Sequence, residues 1–252
     1  MTDCAPLPRL HIVTYNIHKG FSQFNRQMMV HELRDRLRHL NPDIAFLQEV
    51  QGLHLIHAER HGDWPAAPQH EFLAADTWQA AYGRNMVYDH GHHGNAILSR
   101  FPIEETHNQD VTHLQFEKRG LLHCRIALPQ GQAVHCVCVH LSLFGYSRRR
   151  QMAALADYIE RVAGDGVPLI IAGDFNDWRN RADEHLAERL GLEEAFSQRG
   201  IPVRSFPAAL PMFRLDRIYV RGFRVERTEV HQGAPWSSLS DHAALSAHLF
   251  RR

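Results

Sequence analysis

Across this 252-residue chain, several apolar runs end on a side chain suited to acid–base or metal chemistry. Asn16 closes such a run in TYNIHKG, Glu49 in FLQEV and His140 in CVHLS. Asp174 and Asn176 follow LIIA in GDFND, Asp216 lies in RLDRIYV, and Asp241 and His242 stand together in LSDHAAL. Alone, each has an ordinary structural use: Asn and Asp after a strand form turns, a single Glu is a solvated surface group, and a single His is a satisfied structural residue. Together they form a different inventory. Carboxylates offer hard oxygen ligands to a divalent ion and a base to water, and amides and imidazoles offer hydrogen bonds to phosphoryl oxygens; hydrolysis of a phosphate ester requires this set.

A rigid site of that kind needs strands that open into loops. Alternation and short apolar runs predict strands at 10–16, 44–47, 78–82, 95–99, 103–111, 121–128, 133–140, 169–172, 214–220, 223–230 and 243–249. Val30, Leu33, Leu37 and Leu40 share one face of a helix that Asn25 would cap and Asn41-Pro42 would end. Met152, Leu155, Ile159 and Val162 mark a second helix, with Ser147 as its cap and Gly164 past its end; a short third helix is expected at 181–190. Residues 52–70 show no clear pattern. With no repeat, linker or break in composition, the reading is one α/β domain over residues 1–252, sheet packed on sheet with helices outside.

At 44% hydrophobic and 22% charged, the composition is that of a globular protein and excludes disorder, collagen and coiled coil. The 28 basic side chains balance 28 acidic ones, so any site for a polyanion must be local. Only Lys19 and Lys118 are lysines. The arginine bias follows base composition and permits a phosphate ligand without indicating one. Cys4, Cys124, Cys136 and Cys138 show neither zinc spacing nor disulfide density, and read as free thiols. The start, MTDCAPLPRL, has no signal-peptide pattern, and no run nears the ~18 apolar residues of a membrane span; a cytoplasmic protein is expected. Asp89, His90, His92 and His93 suggest a soft-metal cluster, but their spacing fixes no geometry, and a flexible loop is expected there instead.

In order and wording the motifs resemble the endonuclease/exonuclease/phosphatase superfamily, the pancreatic-deoxyribonuclease-like fold. The residues carrying the resemblance are TYNIHKG, LQEV, GNAILSR, VHLS with a following R-x-x-Q, GDFN, RLDRIYV and SDHAAL, over residues 10–249. The resemblance implies a four-layered α/β sandwich, two packed mixed β-sheets flanked by helices, and hydrolysis dependent on Mg²⁺ or Mn²⁺. It makes Glu49 the principal metal ligand, with Asn16 beside it and Asp241 near the ion directly or through water. It has Asp174 orient or deprotonate the attacking water, Asn176 hydrogen-bond the phosphoryl group, and His242 face the scissile phosphate, held in its tautomer by Asp216. His140 would stabilise developing charge. Asn95 in GNAILSR would lie near the pocket, or else be a turn residue starting a strand. Arg148 and Gln151 share a helical face and would contact phosphate or scaffold, or else be solvated. His18 departs from the pattern, since nuclease members often have an acid there, and this tilts the reading away from a dedicated abasic-site nuclease.

The expected function is a metal-dependent phosphodiesterase using in-line attack of water. The substrate, whether nucleotide, nucleic acid, or phospholipid or inositol head group, is left open, and the protein is expected to be a monomer. A basic stripe for nucleic acid is missing. Arg148, Arg149 and Arg150 form one short run, and Arg214, Arg217, Arg221, Arg224 and Arg227 lie on strands whose faces alternate. A nuclease is one alternative and a non-catalytic phosphate-binding module another; a zinc protein built on the histidine cluster ranks last.

Overall fold

A computed structural model describes residues 9–178, 182–197 and 203–252; Cys4 and Arg181 lie outside them. Its strands are β1 (Arg9–Asn16), β2 (Ile44–His54), β3 (Gln79–Tyr88), β4 (Gly91–Ser99), β5 (Ile103–Asp110), β6 (Gly120–Leu128), β7 (Gln132–His140), β8 (Leu169–Asp174), β9 (Glu193–Glu194), β10 (Asp216–Arg221), β11 (Phe223–His231) and β12 (Ala244–Arg251). The helices are α1 (Val30–Leu40), α2 (Leu55–Arg60), α3 (Gln69–Ala74), α4 (Gly145–Val162), α5 (Ala182–Leu190) and α6 (Trp236–Leu239). Two six-stranded sheets result, in the orders β11-β12-β1-β2-β4-β3 and β5-β6-β7-β8-β10-β9. The β1–β2 and β7–β8 pairs are parallel and the other pairs antiparallel, so both sheets are mixed.

Successive side chains of a strand point to opposite faces, and here each face is covered. Ile44 and Phe46 enter the core between the sheets, while Ala45 and Leu47 face the layer of Val30, Leu33 and Leu37 on α1. Across the sandwich, Cys136 and Cys138 join the central core, whereas Val137 and Val139 pack with Leu155 and Ile159 of α4. Three apolar layers between four structural layers follow, which explains why the central strands read as continuous apolar runs rather than alternating ones.

Element ends depart from the sequence expectations for identifiable reasons. Asn25 does not cap α1: it lies in a short 3-10 turn, and Met29 occupies the cap position without a side-chain bond. Ser147 sits inside the first turn of α4 and bonds His113 Nδ1 at 2.8 Å; Phe144 precedes the helix. The left-handed Asn41 (φ 54°) does end α1, its N–H bonding Leu37 O. Residues 52–70 contain α2 and the start of α3. The histidine cluster is not a loop: Gly91, His92 and His93 open β4, so the two imidazoles leave opposite faces and cannot grip one ion together. Asn95 lies within β4 rather than at its start. In the arginine series, Arg217 is buried 3.6 Å from Asp177, and Arg221 donates to the carbonyls of Ala163, Gly164, Val167 and Leu190, so both brace the fold.

Candidate active site

Strand register gathers the polar residues at one end of the sandwich. Asp174 ends β8, opposite His140 on parallel β7 and opposite Asp216 on antiparallel β10. Gly173 makes this junction, with φ +147° and Val139 O only 2.0 Å from where a Cβ would be. The other sheet supplies Asn16 from the end of β1 and Glu49 from β2. Between Leu47 and Val50 the register slips, placing Gln48 and Glu49 opposite the single Asn95 of β4. The resulting bulge re-aims Glu49 and leaves it at φ 56°, a conformation that costs a non-glycine residue about 1 kcal/mol. Asn176, at φ 48°, turns the chain away from β8.

One carboxylate oxygen is the hub. Asp174 Oδ2 lies 3.2 Å from Asn16 Nδ2, 3.5 Å from His140 Nε2 and 3.8 Å from His242 Nε2, while Oδ1 accepts the Asn176 N–H at 2.8 Å. His242 Nδ1 is 2.8 Å from Asp216 Oδ2, a contact that orients the ring, and the Asp216 N–H donates to Ser205 Oγ. Asn176 Nδ2 donates to Leu141 O, fixing the chain just after His140. Glu49 has Oε1 3.4 Å from Asn16 Nδ2 and Oε2 3.5 Å from Lys19 Nζ. Asp241 Oδ2 lies 4.0 Å from His18 Nε2, and the adjacent Ser240 donates to Asn16 O.

Burial and charge act in opposition here. Burial by itself would raise the Glu49 carboxyl, but His140, Lys19, His18 and His242 outweigh it and hold the group down at about 2. Burial pushes Asp174 up, with Asp216 adding to the rise and His242, Asn176 and Asn16 opposing it. Burial disfavours a charged His242, yet Asp216 and Asp174 reverse this and raise its pKa. Burial and Arg119 hold His140 well below the ordinary histidine range, so it is neutral near pH 7.

The remaining expected binding residues lie one layer back. Arg148 donates to the carbonyls of Ser142 and Leu143, and Gln151 accepts from Ser142 N and donates to Val111 O. Both thereby hold the loop that follows His140. Asn95 Nδ2 donates to Gly120 O and Cys138 O in the facing sheet, leaving its buried Oδ1 without a partner. Among the described residues, the group of three whose His and carboxylate ligand atoms all lie within 4.8 Å of one another is Asp174, Asp216 and His242, and it does not include Glu49 or Asp241. Sequence reasoning passed over Lys19, Ser240 and Phe206, whose ring lies 4.9 Å from that of His242. Lys19 had a signal, being one of two lysines in an arginine-biased chain; Ser240 and Phe206 had none.

The profile of the Endonuclease/Exonuclease/phosphatase family matches residues 13–242. The chain belongs to this family. Its members include metal-dependent phosphoesterases and nucleases and are generally hydrolases of phosphoester bonds. The Escherichia coli (strain K12) protein YbhP is 47% identical over 241 residues, covering 94% of this chain and 95% of that protein. The human Nocturnin catalytic domain, solved with a bound sulfate anion, superposes with a TM-score of 0.75 at 19% identity, over 98% of this chain and 97% of that one. The mannosyl-6-phosphatase of Bacteroides thetaiotaomicron gives a TM-score of 0.73 at 16% identity, over 95% of this chain and 99% of that one. At those identities the likeness shows the family's fold, an α/β sandwich of two mixed sheets with helices, as the strand orders here do.

Proposed function

We propose that this endonuclease/exonuclease/phosphatase family member is a divalent-metal-dependent phosphodiesterase that directs water in line onto a phosphate ester, working as a single-domain monomer. The observation that supports this most is the convergence of Asn16, His140 and His242 on one buried oxygen of Asp174. A carboxylate so placed can accept a proton from water while donors around it meet the phosphoryl oxygens.

The donor set fits a hard cation. Glu49 stays ionised, and the Lys19 ammonium 3.5 Å away supports a position that favours positive charge. Glu49 would hold Mg²⁺ or Mn²⁺, with Asp241 contributing oxygens and Asn16 doing so once its Oδ1, which here accepts the His18 N–H, is turned towards the ion. The trio Asp174, Asp216 and His242 suits an ion less well, because Asp216 Oδ2 is already engaged with His242 Nδ1. When bound, the ion supplies Lewis-acid neutralisation of the phosphate.

The protein's own groups divide the remaining work. Asp174 orients the water and takes its proton as the new phosphorus–oxygen bond forms and the bond to the leaving alkoxide breaks, the alkoxide taking a proton from solvent. His242, fixed and kept protonated by Asp216, faces the scissile phosphate, and His140 and Asn176 donate hydrogen bonds as charge builds on the phosphoryl oxygens. The free, buried Cys124, Cys136 and Cys138 support a reducing, cytoplasmic setting. No helix among the described residues is long and apolar enough to cross a membrane.

Hydrolysis of bis- and mono-p-nitrophenyl phosphate by wild-type and Asp174→Asn protein, with Mg²⁺, Mn²⁺ or EDTA, tests the reading. Cleavage of the diester that requires metal and is lost in the variant is expected. Metal-independent cleavage, or cleavage that survives the substitution, overturns it. Metal binding with no turnover of any ester would indicate a non-catalytic module, the reading for which His18 is the one hint in the sequence.

A further inference from the structure

The exposed apolar side chains of this protein are not scattered. All eleven large ones among the described residues lie on segments at the end of the sandwich that holds Asp174 and Glu49. Leu53 and Leu55 follow Glu49, Val87 stands where β3 turns into β4, Leu143 follows His140, and Leu210 and Met212 precede Asp216. Phe116, from the β5–β6 connection, meets Phe144 edge to face at 5.9 Å, although both rings are at least half exposed. The opposite end, with its connections at 41–43, 100–102, 129–131 and 163–168, exposes none. Folding alone gives no reason for that polarity, since exposed apolar groups on a soluble protein are normally dispersed.

Charge is polarised the same way. The four connections at 17–29, 111–119, 141–150 and 203–215 carry nine lysines and arginines against one acid, Glu117, in a chain that is neutral overall. Lys19, Arg119 and Arg214 pair with Glu49, Glu117 and Glu194, and Arg148 is buried on loop carbonyls, so the rim's cations are Arg26, Lys118, Arg149, Arg150 and Arg204, against Asp89 and Asp241 on neighbouring connections. Arg149 and Arg150 both lie within 6.0 Å of the Tyr146 ring at this rim. Cations and aromatic rings interleaved with aliphatic side chains match an anionic lipid interface, where hydrocarbon takes the apolar tips and head groups take the charges.

We propose that this end of the sandwich docks on an anionic lipid bilayer, so that the phosphate reaching Asp174 belongs to a phospholipid head group. The assignment of substrate rests on the phosphodiesterase reading; the docking surface does not. Single-stranded nucleic acid fits less well, because six of the eleven side chains are aliphatic and offer no face for base stacking. A protein partner would want one continuous patch, whereas these side chains come from seven chain segments around the cleft.

The test is flotation of the full chain, in EDTA, with vesicles of equal parts phosphatidylcholine and phosphatidylglycerol, beside vesicles of phosphatidylcholine alone. Oligothymidylate binding and sedimentation velocity run in parallel. Wild-type protein should float with the anionic vesicles, and less with the neutral ones. Phe116→Ser/Phe144→Ser and Leu53→Ser/Leu55→Ser should each weaken partitioning on the order of tenfold while cleavage of bis-p-nitrophenyl phosphate stays unchanged. The proposal is overturned by no flotation, by flotation indifferent to both double variants, by oligothymidylate bound in place of vesicles, or by a dimer that these substitutions dissolve. Protein that cleaves the soluble ester but ignores vesicles loses the docking surface and keeps the phosphodiesterase reading. Protein that floats but cleaves nothing keeps the surface and loses that reading.

Discussion

Asp174 is held by four neighbours, Asn16, His140, His242 and Asn176, at a buried position where burial and the nearby Asp216 disfavour the carboxylate. Asp174→Asn should therefore lower turnover by about 10²–10⁴-fold, the range of a lost general base, while the variant unfolds at the same temperature or higher. Steady-state rates and a melting curve on one preparation check both halves. Glu49→Gln removes the carboxylate that Lys19 and His242 keep ionised; the Mg²⁺ concentration giving half-maximal rate should rise by roughly tenfold or more, read from a metal titration. At this scale the sequence was legible where a polar residue ended an apolar run, because Asn16, His140 and Asp174 close strands whose ends lie at one end of the sandwich. Arg148 and Gln151 show the limit: a helical face shared by two polar residues looks the same whether it meets ligand or, as here, the carbonyls and amides of a loop.

Between elements, the site depends on how β7, β8 and β10 align. Gly173 allows β7 to approach β8 just before Asp174, and a methyl group there would meet Val139 O. Gly173→Ala should lower stability by about 2–4 kcal/mol in urea unfolding and reduce activity more than stability, since the shift falls between His140 and Asp174. On β2 the bulge at Gln48 and Glu49 is what aims the carboxylate. Nothing in FLQEV announces it, because a bulge is an outcome of pairing with β4, not of one strand's residues. Helix starts were misplaced for a related reason: Ser147 is a good cap by type, but its hydroxyl is taken by His113 from a segment 34 residues away.

For the molecule as a whole, buried histidines set the response to acid. Burial, with neighbouring histidines adding to it, lowers His11 and His123 from 6.5 to about 4, so the folded state holds them neutral while the unfolded chain protonates them. Their contribution to the unfolding free energy should be fully present above pH 6.5 and be lost between pH 6.5 and 4, as a denaturant series across that window would show. Thermal unfolding should move upward with added Mg²⁺ or Mn²⁺, and the shift should shrink in Glu49→Gln, because an ion bound only by the folded state stabilises it. The sequence by itself determined the layered α/β class, the strand cores and the polar residues that end them, since burial period and residue chemistry are local properties. Only the tertiary structure decided that Asn16, Glu49 and His242 from one sheet meet Asp174, His140 and Asp216 from the other, that Lys19 joins them, and that the exposed apolar side chains share their end. Those are relations between segments up to more than two hundred residues apart, and only the packing of the two sheets sets them.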